Sequence, residues 1–248
     1  MELLITGAGS WLPEAGRETA SFLIDGRHMV DTGWAPVFRL RECGVDPLAI
    51  ETITFTHFHH DHYVGFPHLI FYHGMRRREA GITAPLRILG PPGNLDRIVR
   101  LTQEFLQWER FPELKFDLSL EPLNPGERVQ LGNLSMETIA AVHVSGKGDP
   151  EEALSLRFTP VGGGAALVLS GDTSYNPALA EFAAGARVLA HDAAHSGGED
   201  AARIAASAGV EELYLAHYGL DRAEKLMAAA RAVFPRTSLA VDGARITV

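Results

Sequence analysis

The sequence predicts a layered α/β protein, and three observations carry that prediction. Short β-like apolar runs alternate along the chain with stretches of helical apolar spacing. Several helical stretches end close to Gly or Pro, where helices stop. No Ser-, Gly- or Pro-rich linker long enough to separate domains interrupts the alternation, so residues 1–248 are expected to form one domain.

The β-like runs are, in order, ELLITGA, SFLID, HMVDTG, ETITFTH, LRILG, LSMETIAAVHV, LSLRFT, ALVLSGD, RVLAHD, ELYLAHY, SLAVDG and ARITV. Helical spacing marks Pro36 to Glu42, Tyr63 to Arg78, Asn94 to Glu109, Pro177 to Ala184, Glu199 to Ala208 and Asp221 to Phe234. PVGGGAA, around Gly162 to Gly164, reads as a turn between two strands. The strands suffice for two sheets.

The bulk numbers narrow the function classes. A hydrophobic share of 46% and a charged share of 21% suit an ordinary globular protein. The N-terminus lacks a basic start, a long apolar stretch and a small-residue cleavage signal, and no later segment has the roughly 18 uninterrupted apolar residues of a spanning helix. A cytoplasmic protein without membrane contact is therefore expected. The net charge of −9 disfavours broad affinity for nucleic acid, where Lys and Arg must neutralise phosphates. Arg76, Arg77 and Arg78 are expected to form a solvated helix end. Cys43, the single cysteine, has no partner for an internal disulfide and reads as a packed thiol.

One stretch stands apart. TFTHFHHDHYVG puts four of the eleven histidines, His57, His59, His60 and His62, beside Asp61 directly after an apolar run. Packing those rings around a carboxylate serves no hydrophobic purpose, whereas imidazole nitrogens and carboxylate oxygens are the ligands that Zn²⁺ and similar ions take. In extended chain His57 and His59 share a face, and the following turn brings Asp61 and His62 around a second point. Two ion positions follow. His143, Asp172 and His217 each follow an apolar run, so three more strand ends supply candidate ligands.

HFHHDH matches the HxHxDH signature of the metallo-β-lactamase superfamily, and the order HxHxDH, His143, Asp172 in SGDT, then His217 resembles that family's ligand set. The likeness runs over nearly the whole chain, including TGAGSWLP and MVDTG near its start. It implies a four-layer αββα sandwich with two divalent ions at one edge of the sheets, expected to be zinc, with manganese as the alternative. By the likeness His57, His59 and His143 hold one ion, Asp61, His62 and His217 the other, and Asp172 bridges them. His60 occupies a variable place and is expected to line the pocket. His28, His68 and His73 match no motif and read as structural or surface residues.

Within the superfamily the chain most resembles the ribonuclease Z-like phosphodiesterases, through DHYVGFPHLIFY, APLRILGPPG and SGDTSYNPALAEFAAGARVLAHDAAHS. Two ions acidify a shared water and polarise the bond to be broken, so the reaction implied is hydrolysis, with Asp61 also orienting the water. The family's proton-transfer pair matches Asp192 and His195. The family usually has glutamate where Asp192 stands and spaces its histidine farther away, so a purely anchoring role for both stands beside the catalytic one. Only 28 residues separate His143 from Asp172, and they read as a hairpin rather than the long arm that grips transfer RNA. A smaller phosphodiester, such as a cyclic nucleotide or nucleotide-derived metabolite, is the expected substrate, and transfer RNA is not. A lactone, thioester or aryl-sulfate hydrolase on the same scaffold is the alternative, and a noncatalytic ligand sensor a third. Residues Arg76 to Leu123, with Trp108 and Phe111, are the expected pocket wall, and the family's habit suggests a homodimer.

Overall fold

The computed structural model describes residues 1–144 and 148–248. The first half of the chain lays down β1 (Glu2–Gly7), β2 (Ser21–Ile24), β3 (His28–Val30), β4 (Thr52–Thr54), β5 (Leu86–Gly90) and β6 (Leu118–Pro122). The second half lays down β7 (Arg128–Leu131), β8 (Leu134–Ala140), β9 (Leu154–Pro160), β10 (Leu167–Leu169), β11 (Val188–Asp192), β12 (Glu212–Ala216) and β13 (Thr237–Leu239), before β14 (Arg245–Thr247) returns to pair with β1. Among the described residues these form two seven-stranded sheets, β14-β1-β2-β3-β4-β5-β6 and β13-β12-β11-β10-β9-β8-β7.

The two-residue period of the strands builds the layers. In β1, Leu3 and Ile5 join the core between the sheets while Leu4 faces the opposite way, and β2 repeats the pattern with Phe22 and Ile24 against Leu23. The outward residues of the first sheet pack with Leu40 of α1 (Pro36–Glu42), Phe66, Leu69 and Ile70 of α3 (Phe66–Arg76), and Leu95, Ile98 and Val99 of α4 (Pro92–Phe105). Between α1 and α3 lies a single turn, α2 (His60–Tyr63). The second sheet is covered by α5 (Pro177–Phe182), α6 (Gly198–Ala208) and α7 (Ala223–Val233), through Leu179, Ala201, Ile204, Leu226 and Ala230. The order of layers is helix, sheet, sheet, helix, as the family resemblance implied.

Strand direction decides where the site can form. β3, β4, β5 and β6 run parallel, as do β10, β11, β12 and β13. β8 shares the direction of β10, because each is antiparallel to β9. The candidate ligands all follow C-terminal strand ends, so strand direction brings them to one edge. Gly65, between α2 and α3, permits close approach of this turn to the chain entering α1: a Cβ there would lie 2.4 Å from Pro36 Cδ and 2.5 Å from Gly33 O.

Two strands, β6 and β7, escape the apolar pattern. No residue of β6 is fully buried, and in the edge strand β7 only Leu131 is. The expected turn at Gly162 to Gly164 does join the antiparallel β9 and β10. The proposed hairpin after His143 includes residues 145–147, which lie outside the described residues. Among the described residues no helix is long and apolar enough to cross a membrane.

The three arginines at the end of α3 are not all solvated. Arg76 and Arg78 are exposed, but Arg77 is buried, donating to Ala84 O and to His73 Nδ1 (3.2 Å) with its guanidinium over Phe116. His73 in turn donates from Nε2 to Pro47 O at 2.9 Å. Burial opposes a second proton on this ring, and the facing guanidinium adds to the penalty, so its pKa is pushed down to about 4. The unfolded chain takes that proton near pH 6.5, so the ring's share of stability is complete above pH 6.5 and is lost as pH falls toward 4. Between pH 7 and pH 5 the loss from this ring is about 2 kcal/mol. Urea unfolding at both pH values is expected to show a smaller pH dependence in His73→Gln than in the wild type by that amount; equal dependences refute the assignment.

Candidate metal centre

His57 leaves the end of β4, and its Nδ1 donates to Thr56 Oγ1 at 3.1 Å. Thr56 Oγ1 donates onward to Asp31 Oδ2 at 2.7 Å. Asp31, just beyond β3, also accepts from Thr56 N at 2.8 Å and from His62 Nδ1 at 2.8 Å. One buried carboxylate thereby fixes two imidazoles through their Nδ1 atoms and leaves both Nε2 atoms aimed elsewhere. Those two buried Nε2 atoms have no hydrogen-bond partner among the described residues. A buried polar atom without a partner costs about 1–3 kcal/mol, and here two of them face the same carboxylate: Asp172 Oδ2 lies 3.8 Å from His57 Nε2 and 3.4 Å from His62 Nε2.

The remaining sequence-predicted ligands converge on the same place. His143 Nε2 lies 3.0 Å from His59 Nδ1. His217 Nε2 lies 3.2 Å from Asp61 Oδ2, which is itself 3.3 Å from His62 Nε2. Asp172 stands between the groups, 3.4 Å from His217 Nδ1 through its other oxygen, Oδ1. Donor atoms within 4.8 Å of one another form the sets His57/His59/His143, His57/His62/Asp172 and Asp61/His62/His217. The first and third are the two triads expected from sequence, and Asp172 adjoins both.

The local chain is shaped to hold these side chains. Thr19 Oγ1 donates to Asp61 O at 2.9 Å, and Thr32 N donates to His62 O at 2.8 Å, which fixes the turn of α2 from outside. Asp31 and His217 adopt positive φ (53° and 55°), a conformation that costs non-glycine residues energy and concentrates at functional sites. Gly171, ahead of Asp172, has φ 59°, and a Cβ there would meet Leu154 O at 2.4 Å.

Charge completes the picture. Asp31, Asp61, Asp172 and Asp192 crowd one largely buried space. Burial opposes charge on His217, yet the Asp172 carboxylate and hydrogen bonds to Asp192 and Asp61 outweigh it and push its pKa up to about 10. His62 is likewise raised well above the usual imidazole range, against its burial, by Asp172 and Asp31. His57 moves the other way, held neutral by burial and then by the neighbouring His62. The site demands positive charge, which protons on His62 and His217 supply here, while His57 offers an unprotonated nitrogen. That donor set, nitrogens and carboxylate oxygens with two orphaned imidazole atoms, fits divalent ions.

Asp192 and His195 lie at the same edge. Asp192 accepts from His195 Nδ1 and His217 Nδ1, both at 3.1 Å, and from Thr173 N and Ala194 N. Its hydrogen bond, ahead of the burial that opposes it, raises the His195 pKa. The His195 ring stacks on His217, with 5.4 Å between centroids, and lines a pocket of about 650 Å³ above the cluster. Trp11, Val144, Asp221 and Arg222 line it as well. The expected wall is elsewhere: Trp108 is buried in the core beneath α3 and α4, and neither it nor Phe111 reaches this pocket. His60 is exposed against Tyr63 and does not line it either. His68 is exposed, and His28 is buried within 3.1 Å of Thr52 Oγ1.

Sequence reasoning missed Asp31, Thr56 and Glu151, whose Oε2 lies 2.6 Å from His59 Nε2. Asp31 carried a usable signal, a polar residue directly after an apolar strand, as at His57 and His143. Thr56 resembles an ordinary β-branched strand residue, and Glu151 an ordinary loop acid.

A family model described as a beta-lactamase superfamily domain matches residues 27–218. Ribonuclease Z of Geobacillus kaustophilus is 29% identical, over 100% of this chain and 99% of its own length. That alignment runs to 308 positions, so the relative carries sequence with no counterpart here. Among solved structures, the metallo-beta-lactamase fold protein YhfI of Bacillus subtilis has a TM-score of 0.79 at 21% identity, covering 99% of this chain and 98% of its own. The short form of human tRNase Z also has a TM-score of 0.79, at 19% identity over 100% of this chain and 99% of its own. These two likenesses are of fold.

Asn tolerates positive φ, so Asp31→Asn removes charge and one acceptor without new backbone strain. His62 Nδ1 then faces an amide donor, and the variant is expected to lose about 1–3 kcal/mol of stability in urea unfolding. An unchanged midpoint with an unchanged slope would show that Asp31 anchors nothing.

Proposed function

The chain belongs to the beta-lactamase superfamily domain family, and from that membership we infer that it is a two-metal hydrolase of small, nucleotide-sized phosphodiesters. The observation that carries this reading is the meeting of seven ligand-type side chains from separate strand ends and turns, with His57 Nε2 and His62 Nε2 buried and unpartnered among the described residues. His57, His59 and His143 would hold one ion, Asp61, His62 and His217 the other, and Asp172 would contact both. The nitrogen-rich donor set suits zinc, with manganese second. Ions so held would supply Lewis acidity, lowering the pKa of a water and polarising the ester oxygen.

The chain's own residues supply the rest. Asp61 borders the pocket, where its carboxylate can accept a hydrogen bond from the attacking water and orient it. The hydrogen bond from His195 Nδ1 to Asp192 leaves Nε2 as the nitrogen that exchanges a proton, so His195 can protonate the departing oxygen while Asp192 holds its tautomer. Asp192 touches His217 as well and thereby ties the proton donor to the ion site.

Substrate size follows from the pocket and from what surrounds it. About 650 Å³ is room for a nucleotide-sized molecule. The ribonuclease Z relative is the longer protein by the stretches unmatched in its alignment. This chain has an acidic balance of −9, which works against a long polyanion. Transfer RNA is therefore not proposed as the substrate.

The purified protein with bound zinc or manganese should hydrolyse bis(p-nitrophenyl) phosphate, and Asp61→Ala should abolish the reaction. Two bound ions with no turnover of this ester or of cyclic nucleotides would overturn the phosphodiesterase reading. His195→Ala is expected to lower kcat by about 10²–10⁴-fold while both ions stay bound. An unchanged kcat in that variant would return Asp192 and His195 to a purely anchoring role.

A further inference from the structure

Among the described residues, four of the five histidines in the proposed ion sites meet a hydrogen-bonding or ion-pair partner on one ring nitrogen, which leaves the other for an ion. His57 has Thr56, His62 has Asp31 and His217 has Asp192, each at Nδ1. His59 is turned the other way. Its Nδ1 faces His143 Nε2 at 3.0 Å, and its Nε2 lies 2.6 Å from Glu151 Oε2. We propose that Glu151 is a positioning residue that accepts a hydrogen bond from His59 Nε2–H, fixes the ring's tautomer and presents Nδ1 to the first ion. The assignment rests on the metal-binding reading above and not on the identity of the substrate.

Glu151 is held in place by more than its own contact with the ring. Its main-chain N donates to His143 O at 3.1 Å, so the residue is tied to the third ligand of the same site. Val144 and Pro150 form an isolated antiparallel bridge just before it. On its other side Glu152 Oε2 accepts from Gly93 N at 2.8 Å, in the first turn of α4, where the helix dipole favours a carboxylate. Two consecutive glutamates thus divide the work. Glu152 fastens the segment after β8 to a helix of the opposite half of the sandwich, and Glu151 reaches the His59 ring.

The hydrogen bond is also the right one chemically. His59 is only partly buried, and without a partner its ring could present either nitrogen. A carboxylate on Nε2 commits the neutral ring to the Nε2–H tautomer and makes Nδ1 a stronger donor to a cation; losing such partners typically weakens metal affinity by about 10–100-fold. Gln at position 151 would still accept the proton's hydrogen bond through its amide oxygen but without the charge. Ala would do neither.

The test is metal binding by the full chain, read independently of turnover. Zinc affinity is measured by competition with a chromophoric chelator, and the cobalt-substituted protein is followed by its visible d–d absorption. Glu151→Ala should lose affinity at one of two ions by about 10–100-fold and change the d–d band, with the melting temperature of the metal-free protein unchanged. Glu151→Gln should fall between Ala and wild type. Wild-type affinity at both ions and an unaltered cobalt spectrum in Glu151→Ala overturn the proposal, and so does a wild-type chain that takes up no ion. A protein that binds two ions and shows the Glu151 effect but hydrolyses no phosphodiester leaves the proposal standing while the functional reading falls.

Discussion

Four carboxylates in one largely buried space are the constraint around which the rest of the molecule is arranged. Asp31, Asp61, Asp172 and Asp192 are too close and too sheltered from water to go uncompensated. The chain answers with imidazoles brought in from every side. Hydrogen bonds set the direction of His57, His62 and His217 through Nδ1, so their Nε2 atoms point inward. Charge and ring orientation are consequences of one another here: the Asp31 carboxylate that attracts His62 at Nδ1 also turns its Nε2 toward Asp172.

The sandwich makes that arrangement possible. Short central strands end at one edge in the same direction, so a polar residue placed just past an apolar run arrives there without further steering. The cores keep the strands in register, and the longer helices stay on the outer faces, while the single turn α2 carries Asp61 and His62 to the edge. The positive φ at Asp31 and His217 is tolerated because hydrogen bonds on all sides hold both residues in place. Packing fixes the frame, and a few polar anchors set its working edge.

How much of this could be read in the sequence depended on whether a residue's role is written in its type and immediate surroundings. Histidines crowded around Asp61, and polar residues directly after β-like runs at His143, Asp172 and His217, satisfy that condition, and so does the alternation that predicts the layers. Asp31 came close to it. Thr56 and Glu151 do not, because each matters only through a ring that tertiary structure brings alongside. Arg77 looked like the middle of a solvated run until its helix placed it over Phe116 and beside His73. Trp108 and Phe111 looked like pocket aromatics because large apolar residues in a connecting segment give no sign of which cavity they face. β6 and β7 were illegible for a simpler reason: edge strands bury too little to leave an apolar period.

The site draws its side chains from both sheets, and that gives the molecule a second property. His57 and His143 lie far apart in the chain, as do Asp61 and His217, yet each pair would grip a single ion. Such an ion would act as a rivet through the two halves, closing long loops that the unfolded chain leaves open. Its grip would exist only in the folded form, so by mass action every tenfold rise in free metal above the dissociation constant would add about 1.4 kcal/mol to the cost of unfolding. With ions so held, the durability of this fold would be partly a property of the surrounding solution, set by the metal supply as well as by the apolar core.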